Sequence, residues 1–136
     1  MKSIYLFIVF VLLLSFDSIG QNRYAEKEVT MDHDTMFLKK DMHKISGIVY
    51  NEHGEIGTFK NGLRDGTHKE WFRSGNLKDE ISYSNGLKDG EFRYWDDKGQ
   101  LLKEGHYVEN NLDGLIKEWY HNGNIKLEVN YKNGAM

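Results

Sequence analysis

Apolar and polar positions return at a fixed interval along the second half of this chain. Trp71, Trp95 and Trp119 stand 24 residues apart, and Tyr83, Tyr107 and Tyr131 keep the same interval. Gly66, Gly90 and Gly114 follow it too, as do Gly75, Gly99 and Gly123. Four columns in one phase describe a tandem array of one small unit. Each unit carries two turn signals. Asn61-Gly62 and Asn85-Gly86 suit a two-residue type I′ turn, which needs φ > 0 at both positions. Arg73-Ser74-Gly75 and its copies suit a three-residue loop whose Gly forms a bulge. The runs between these signals are of strand length, about eight to ten residues. The expected fold is therefore all-β, a single-layer twisted antiparallel meander of about eight strands built from 24-residue hairpin repeats.

The array is expected over residues 44–134, with a shortened first copy at 44–60 and repeats at 61–84, 85–109 and 110–132. In the first copy Phe59 arrives three residues early, as in the terminal cap of an array. The third repeat opens on Asn110-Asn111, with Leu112 shifted by one; Asn tolerates positive φ, so the turn can survive.

Two registers compete within a hairpin. The three-residue loop pairs Trp71 with Leu77, Glu70 with Lys78 and Thr67 with Ile81. A two-residue loop instead pairs Lys69, Arg93 and Lys117 with Glu80, Glu104 and Glu128. Both bring opposite charges together across strands, and turn chemistry favours the first. On that register one face holds the Trp and Tyr columns with Leu77, Ile81, Leu101, Ile125 and Val129, and Lys69, Arg93 and Lys117 join it. The other face holds mostly charge, including Glu80, Glu104 and Glu128. Gly66, Gly90 and Gly114 leave room for a neighbouring aromatic ring.

Composition agrees with strands. The chain has 14 Gly, no Pro and 13% aromatic residues, with Ala only at 25 and 135. It has no Cys, so disulfides and thiolate metal sites are excluded. The net charge of −3 gives no reason to expect nucleic acid or an anionic membrane as partner. Residues 1–20 read as a secretory signal peptide: Lys2, an apolar run from Ile4 to Phe16, then small residues before a cut between Gly20 and Gln21. The run, about 13 residues, is shorter than the ~20 that span a bilayer. The protein is thus expected to be exported, to the periplasm, the cell surface or the medium. Residues 21–43 show no period of 2 or 3.6 and read as a polar leader.

The phrases Tyr83-x-Asn85-Gly86-x-x-Asp89-Gly90 and Glu104-Gly105-His106-Tyr107-x-x-Asn110-x-x-Asp113-Gly114 resemble the membrane occupation and recognition nexus (MORN) repeat. The added segment from Trp95 to Leu101 resembles its bacterial variant, and the resemblance covers residues 44–134. It implies a scaffolding or membrane-associated array with no catalytic residue; similar proteins are often labelled antitoxins of toxin–antitoxin pairs.

Candidate chemistry is sparse. Asp32-His33-Asp34, with His43 and His53, falls short of the roughly four organised donors of a zinc site. Asp96-Asp97-x-Gly99 lacks calcium-loop spacing and reads as a turn. The Glu80, Glu104 and Glu128 column would need a cleft to do acid–base work, and a flat sheet offers none. No catalytic residue, metal or cofactor is expected. The expected function is non-enzymatic: binding or scaffolding of another protein through a stripe of Lys69, Trp71, Arg93, Trp95, Lys117, Trp119, Tyr83, Tyr107 and Tyr131. Such a stripe mixes amphipathic rings with cations. Neutralisation of a toxin protein and attachment to envelope glycan or a membrane surface are the alternatives.

Overall fold

A computed structural model describes residues 21–136; the signal-peptide reading falls on 1–20 and lies outside the described residues. No helix among the described residues is long and apolar enough to cross a membrane.

The array is the expected meander. Its strands are β4 (Gly47–Asn51), β5 (Gly54–Lys60), β6 (Leu63–Trp71), β7 (Leu77–Ser84), β8 (Leu87–Trp95), β9 (Leu101–Val108), β10 (Asn111–Leu112), β11 (Gly114–Trp119) and β12 (Ile125–Tyr131). They pair antiparallel in sequence order, with β10 and β11 both on β9, so these two short strands stand where one strand was expected. The type I′ turns form where Asn-Gly predicts them: φ is +51° at Asn61 and +82° at Gly62, +49° at Asn85 and +86° at Gly86. The third repeat keeps the same turn without slipping. Glu109 and Asn110 take the positive φ values, so the turn falls one residue earlier than Asn110-Asn111.

The two competing registers both occur, one after the other. Next to the loop, Trp71 faces Leu77, as the three-residue loop requires. A bulge then leaves Lys78 as an extra residue, and beyond it Glu70 faces Asp79, Lys69 faces Glu80 and His68 faces Ile81. Leu102 and Lys126 are the extra residues of the next two hairpins. The expected pairs Glu70–Lys78 and Thr67–Ile81 are therefore displaced by one. A single added residue shifts register and moves side chains between faces.

The polar leader is ordered in the structure. It contributes β1 (Arg23–Ala25), parallel to β4, a short 3-10 turn (Glu26–Glu28), and a hairpin of β2 (Val29–Asp32) with β3 (Thr35–Leu38). Asp32-His33-Asp34 forms this hairpin's tight turn, with His33 and Asp34 at positive φ. The hairpin is tied to the array by the Met36 amide, which donates to the Gly62 carbonyl at 2.7 Å. Val29 joins Ile45, Val49 and Phe59 in a buried cluster, flanked by Met31, Met36, Leu38 and Ile56. Over the first units the sheet thus has a second layer. From β7 onward the core is a different cluster, Ile81, Phe92 and Ile116, flanked by Tyr83, Tyr94, Tyr107, Leu112, Val129 and Tyr131.

Candidate functional site

The two faces of the array differ in chemistry, and the bulge decides which residues share one. Lys69, Arg93 and Lys117 stand directly across from Glu80, Glu104 and Glu128, at N–O distances of 3.2, 4.0 and 3.4 Å. This is the outer face, a ladder of half-exposed ion pairs.

The inner face carries the neighbouring residues of each strand. Along it run His68, Ile81, Phe92, Gly105, Ile116 and Val129, each opposite the next or one strand on. Tyr83, Tyr107 and Tyr131 share this face, each directly across from Gly66, Gly90 and Gly114. The Tyr107 ring packs on Phe92, with centroids 4.6 Å apart. The single stripe expected from the sequence is therefore split: its basic members lie on the outer face, its tyrosines on the inner. The three tryptophans end β6, β8 and β11 beyond the bulges, half-buried, opposite Leu77, Leu101 and Ile125. Trp71 reaches toward the preceding hairpin, its ring 6.3 Å from His53.

Room for an aromatic ring is not what these glycines provide; at Gly90 a Cβ would collide with the Ser82 Cβ and not with a ring. A Cβ on Gly66 or Gly114 would meet nothing within 4 Å; these positions need glycine for φ values of +85° and +79°. Close approach governs Gly105 instead, where a Cβ would collide with Ile116 and the Phe92 ring.

Sequence reasoning expected no cleft. The leader makes one: a half-open groove of about 500 Å³ lies between the β2–β3 hairpin and the inner face of β5–β7. Met31 and Met36 line one side; His68, Glu70, Asp79 and Tyr83 line the other. His68 is 6% exposed, and its Nε2 lies 2.7 Å from the Thr58 carbonyl, so the neutral ring donates there. Burial pushes its pKa down to about 4. Phe59 and Tyr83 meet the ring edge-on at 4.9 and 5.2 Å. Asp79 is 8% exposed; burial raises its pKa, and Glu70 across the strand adds to the rise. Arg64 closes one end, its guanidinium 5.3 Å from the Tyr83 ring centroid and 3.8 Å from Asp34. Among the described residues no group of three or more His, Cys, Asp or Glu could hold a metal ion. Nor do Glu80, Glu104 and Glu128 share the groove; each stands on the outer face across from a cation.

The unit is now defined: a type I′ turn, a strand, a three-residue loop with glycine at +83° to +90°, a bulge and a return strand. A family model described as MORN repeat variant matches three consecutive stretches, residues 64–85, 88–109 and 112–133. The chain belongs to the MORN repeat variant family. The MORN stretches begin and end at the type I′ turns, which also lock neighbouring units together: the amides of Gly86, Asn110 and Gly134 donate to the carbonyls of Arg64, Lys88 and Leu112, each at 2.8 Å. No match is found among curated proteins. MORN repeats are commonly binding modules, so what this array offers a partner is its two faces and the groove.

Two features escaped sequence reasoning. The inner column at 68, 92 and 116 is His, Phe and Ile, so identity alone does not reveal it. The leader hairpin left a readable trace: Val29 and Met31, then Met36 and Leu38, alternate on either side of a polar turn.

Proposed function

We propose that this is an exported, non-enzymatic MORN-variant protein that binds another protein through the inner face of β8–β12. The observation that carries this reading is the uneven cover of one face. Near the N-terminus the leader hairpin closes the inner face. Farther along, Tyr94, Tyr107, Val129 and Tyr131 stay half-buried and Leu127 is 43% exposed, with no second layer from the described residues above them. Tyrosine suits a surface that is apolar on one side and wet on the other. The outer face is less suited, because its cations already have carboxylate partners. Export rests on residues 1–20, and an absence of chemistry rests on the repeat type.

Affinity capture from the compartment that holds the protein tests the reading. Tyr131→Ser combined with Leu127→Ser should cut capture of a specific partner by about tenfold or more, with the circular dichroism spectrum unchanged. Arg93→Ala and Lys117→Ala should leave capture within about twofold. The reverse ranking would move the contact to the outer face and overturn the proposal.

A further inference from the structure

Comparing the three repeats at the same inner-face positions singles out one carboxylate. Residues 79, 103 and 127 are equivalent, and so are 70, 94 and 118. In the second hairpin the pair is Tyr94 across from Lys103; in the third it is Glu118 across from Leu127. Glu118 is satisfied by both Lys103 at 2.9 Å and Lys126 at 3.1 Å. In the first hairpin two acids face each other, Glu70 and Asp79. Like charges directly opposite destabilise a strand pair. Glu70 finds Lys78 at 2.8 Å. Asp79, more than nine-tenths buried, has no hydrogen bond or ion pair among the described residues. No buried side-chain oxygen among the described residues lacks a partner, so the Asp79 carboxylate still reaches solvent through the groove it lines; a largely desolvated carboxylate with no protein cation bonded to it calls for an explanation.

Its setting supplies one. Asp79 lines the groove under the leader hairpin, together with Trp71 and Tyr83. Aromatic walls and an unpaired carboxylate form a site for an organic cation. A cation already uses the same wall, since Arg64 lies over Tyr83, but it forms no ion pair with Asp79. Lys88 is held over Tyr107 at 5.1 Å instead. The groove, about 500 Å³ and half-open, is large enough for one long side chain with its flanking backbone.

We propose that this groove is a subsite for a lysine or arginine side chain of a bound polypeptide, with Asp79 as its counter-ion, Glu70 sharing the charge and Trp71 and Tyr83 flanking the stem. The subsite extends the proposed inner-face contact and rests on that reading; it adds that the partner presents a basic residue at the leader end of the face. In the free protein Asp79 weakens the fold, and the incoming ammonium or guanidinium removes that cost.

The test is titration of the purified protein with acetyl-Gly-Lys-Gly-amide, acetyl-Gly-Arg-Gly-amide, the norleucine analogue and free n-butylamine. Tryptophan fluorescence and the Asp79 carboxyl carbon resonance report binding. The two basic peptides should bind saturably and move the Asp79 resonance, and the norleucine peptide should not. Asp79→Asn should weaken binding by about tenfold or more, Glu70→Gln by less, and Glu109→Gln in an exposed turn not at all. Asp79→Asn should also raise the melting temperature of the free protein at neutral pH, which shows that the variant is folded and that the carboxylate is costly. Equal binding by the norleucine peptide, or full binding by Asp79→Asn, would overturn the subsite. Butylamine binding as tightly as the lysine peptide would overturn the polypeptide as its occupant. Because the peptides bypass the partner, a negative titration removes the subsite and leaves the inner-face contact to its own capture experiment.

Discussion

The inner face is closed in two ways along its length. Near the N-terminus, Val29, Met31, Met36 and Leu38 from the leader lie over Val49 and Phe59, as in a two-layer domain. From β8 onward nothing from elsewhere in the described chain covers the sheet, yet Phe92 and Ile116 are each only 1% exposed. There the cover comes from the sheet itself. Gly105, between Phe92 and Ile116, lets both side chains lean into its space, and the Tyr94 and Tyr107 rings flank Phe92. A single layer can therefore bury a row of side chains, provided large and small residues alternate across strands and tyrosines shield the flanks. The two-layer end gains a groove; the one-layer stretch gains a broad aromatic surface.

The strongest way to break this contrast is to remove a ring from each region. Phe59→Ala and Phe92→Ala should each cost about 3–5 kcal/mol in urea unfolding. The Phe59 change should also release the leader, raising hydrogen exchange in β2 and β3. The Phe92 change should leave the leader protected and loosen β8, β9 and β11, since repeat units depend on their neighbours. Uniform loss of protection in both variants would mean that the two regions are one cooperative unit.

Next in size is a pH effect confined to the groove end. The unfolded His68 titrates near 6.5 and the folded one at about 4, so the unfolded chain takes up the proton first. Stability should be flat above that upper value and fall by about 3 kcal/mol as pH drops to the lower one. Asp79 has the opposite sign. Its raised pKa favours the folded state at low pH, and that contribution is lost as pH rises through the folded value. His68→Phe, which places the ring of Phe92 at the equivalent position, should flatten the slope from His68. Asp79→Asn should steepen its acid end. An unchanged profile in His68→Phe would show that His68 is not the group responsible.

How far the sequence foretold these regions depends on how local the governing physics is. Turns are local: positive φ demands Asn-Gly, and every Asn-Gly predicted as a type I′ turn is one. The turn at Glu109-Asn110 reads one residue late in the sequence because Glu is a poor marker of positive φ. Register is less local. Turn chemistry pointed to Trp71–Leu77 and charge to Lys69–Glu80; both pairs exist because a bulge at Lys78 reconciles them. Without that bulge, Lys69, Arg93 and Lys117 would stand beside the tyrosines. The groove was invisible because it needs β2 and β3, strands of four residues each, to dock on distant Phe59. Asp79 could be noted only once the register had set it against Glu70.

Two glycines, one on β6 and one in the one-layer stretch, separate two kinds of demand on the backbone. Gly66→Ala should cost about 1–3 kcal/mol through backbone strain alone, because its φ is +85° and no atom lies within 4 Å of the new methyl. Gly105→Ala should cost a similar amount, about 1–3 kcal/mol, by overpacking against Ile116 and Phe92. The causes separate in a double variant. Ile116→Val should recover part of the Gly105→Ala loss in thermal melts and none of the Gly66→Ala loss. Equal recovery in both would refute the division between conformational and steric glycines.

The smallest expected effect belongs to the outer face, where the ion pairs can be compared from one end of the array to the other. Lys69–Glu80 is the closer pair, 3.2 Å with the Glu80 side chain 25% exposed, and Lys117–Glu128 is 3.4 Å with the Glu128 side chain 45% exposed. Exposed pairs contribute roughly 0.2–1 kcal/mol, and salt screens them. Double-mutant cycles with alanine should therefore give a coupling near the top of that range for Lys69–Glu80 and near the bottom for Lys117–Glu128. Raising the salt to about 1 M, where the Debye length is about 3 Å, should erase most of the second and less of the first. The gradient follows from solvent access alone, since both pairs sit directly opposite in the same register. A larger coupling at the Lys117 end would mean that geometry, and not desolvation, ranks the ladder.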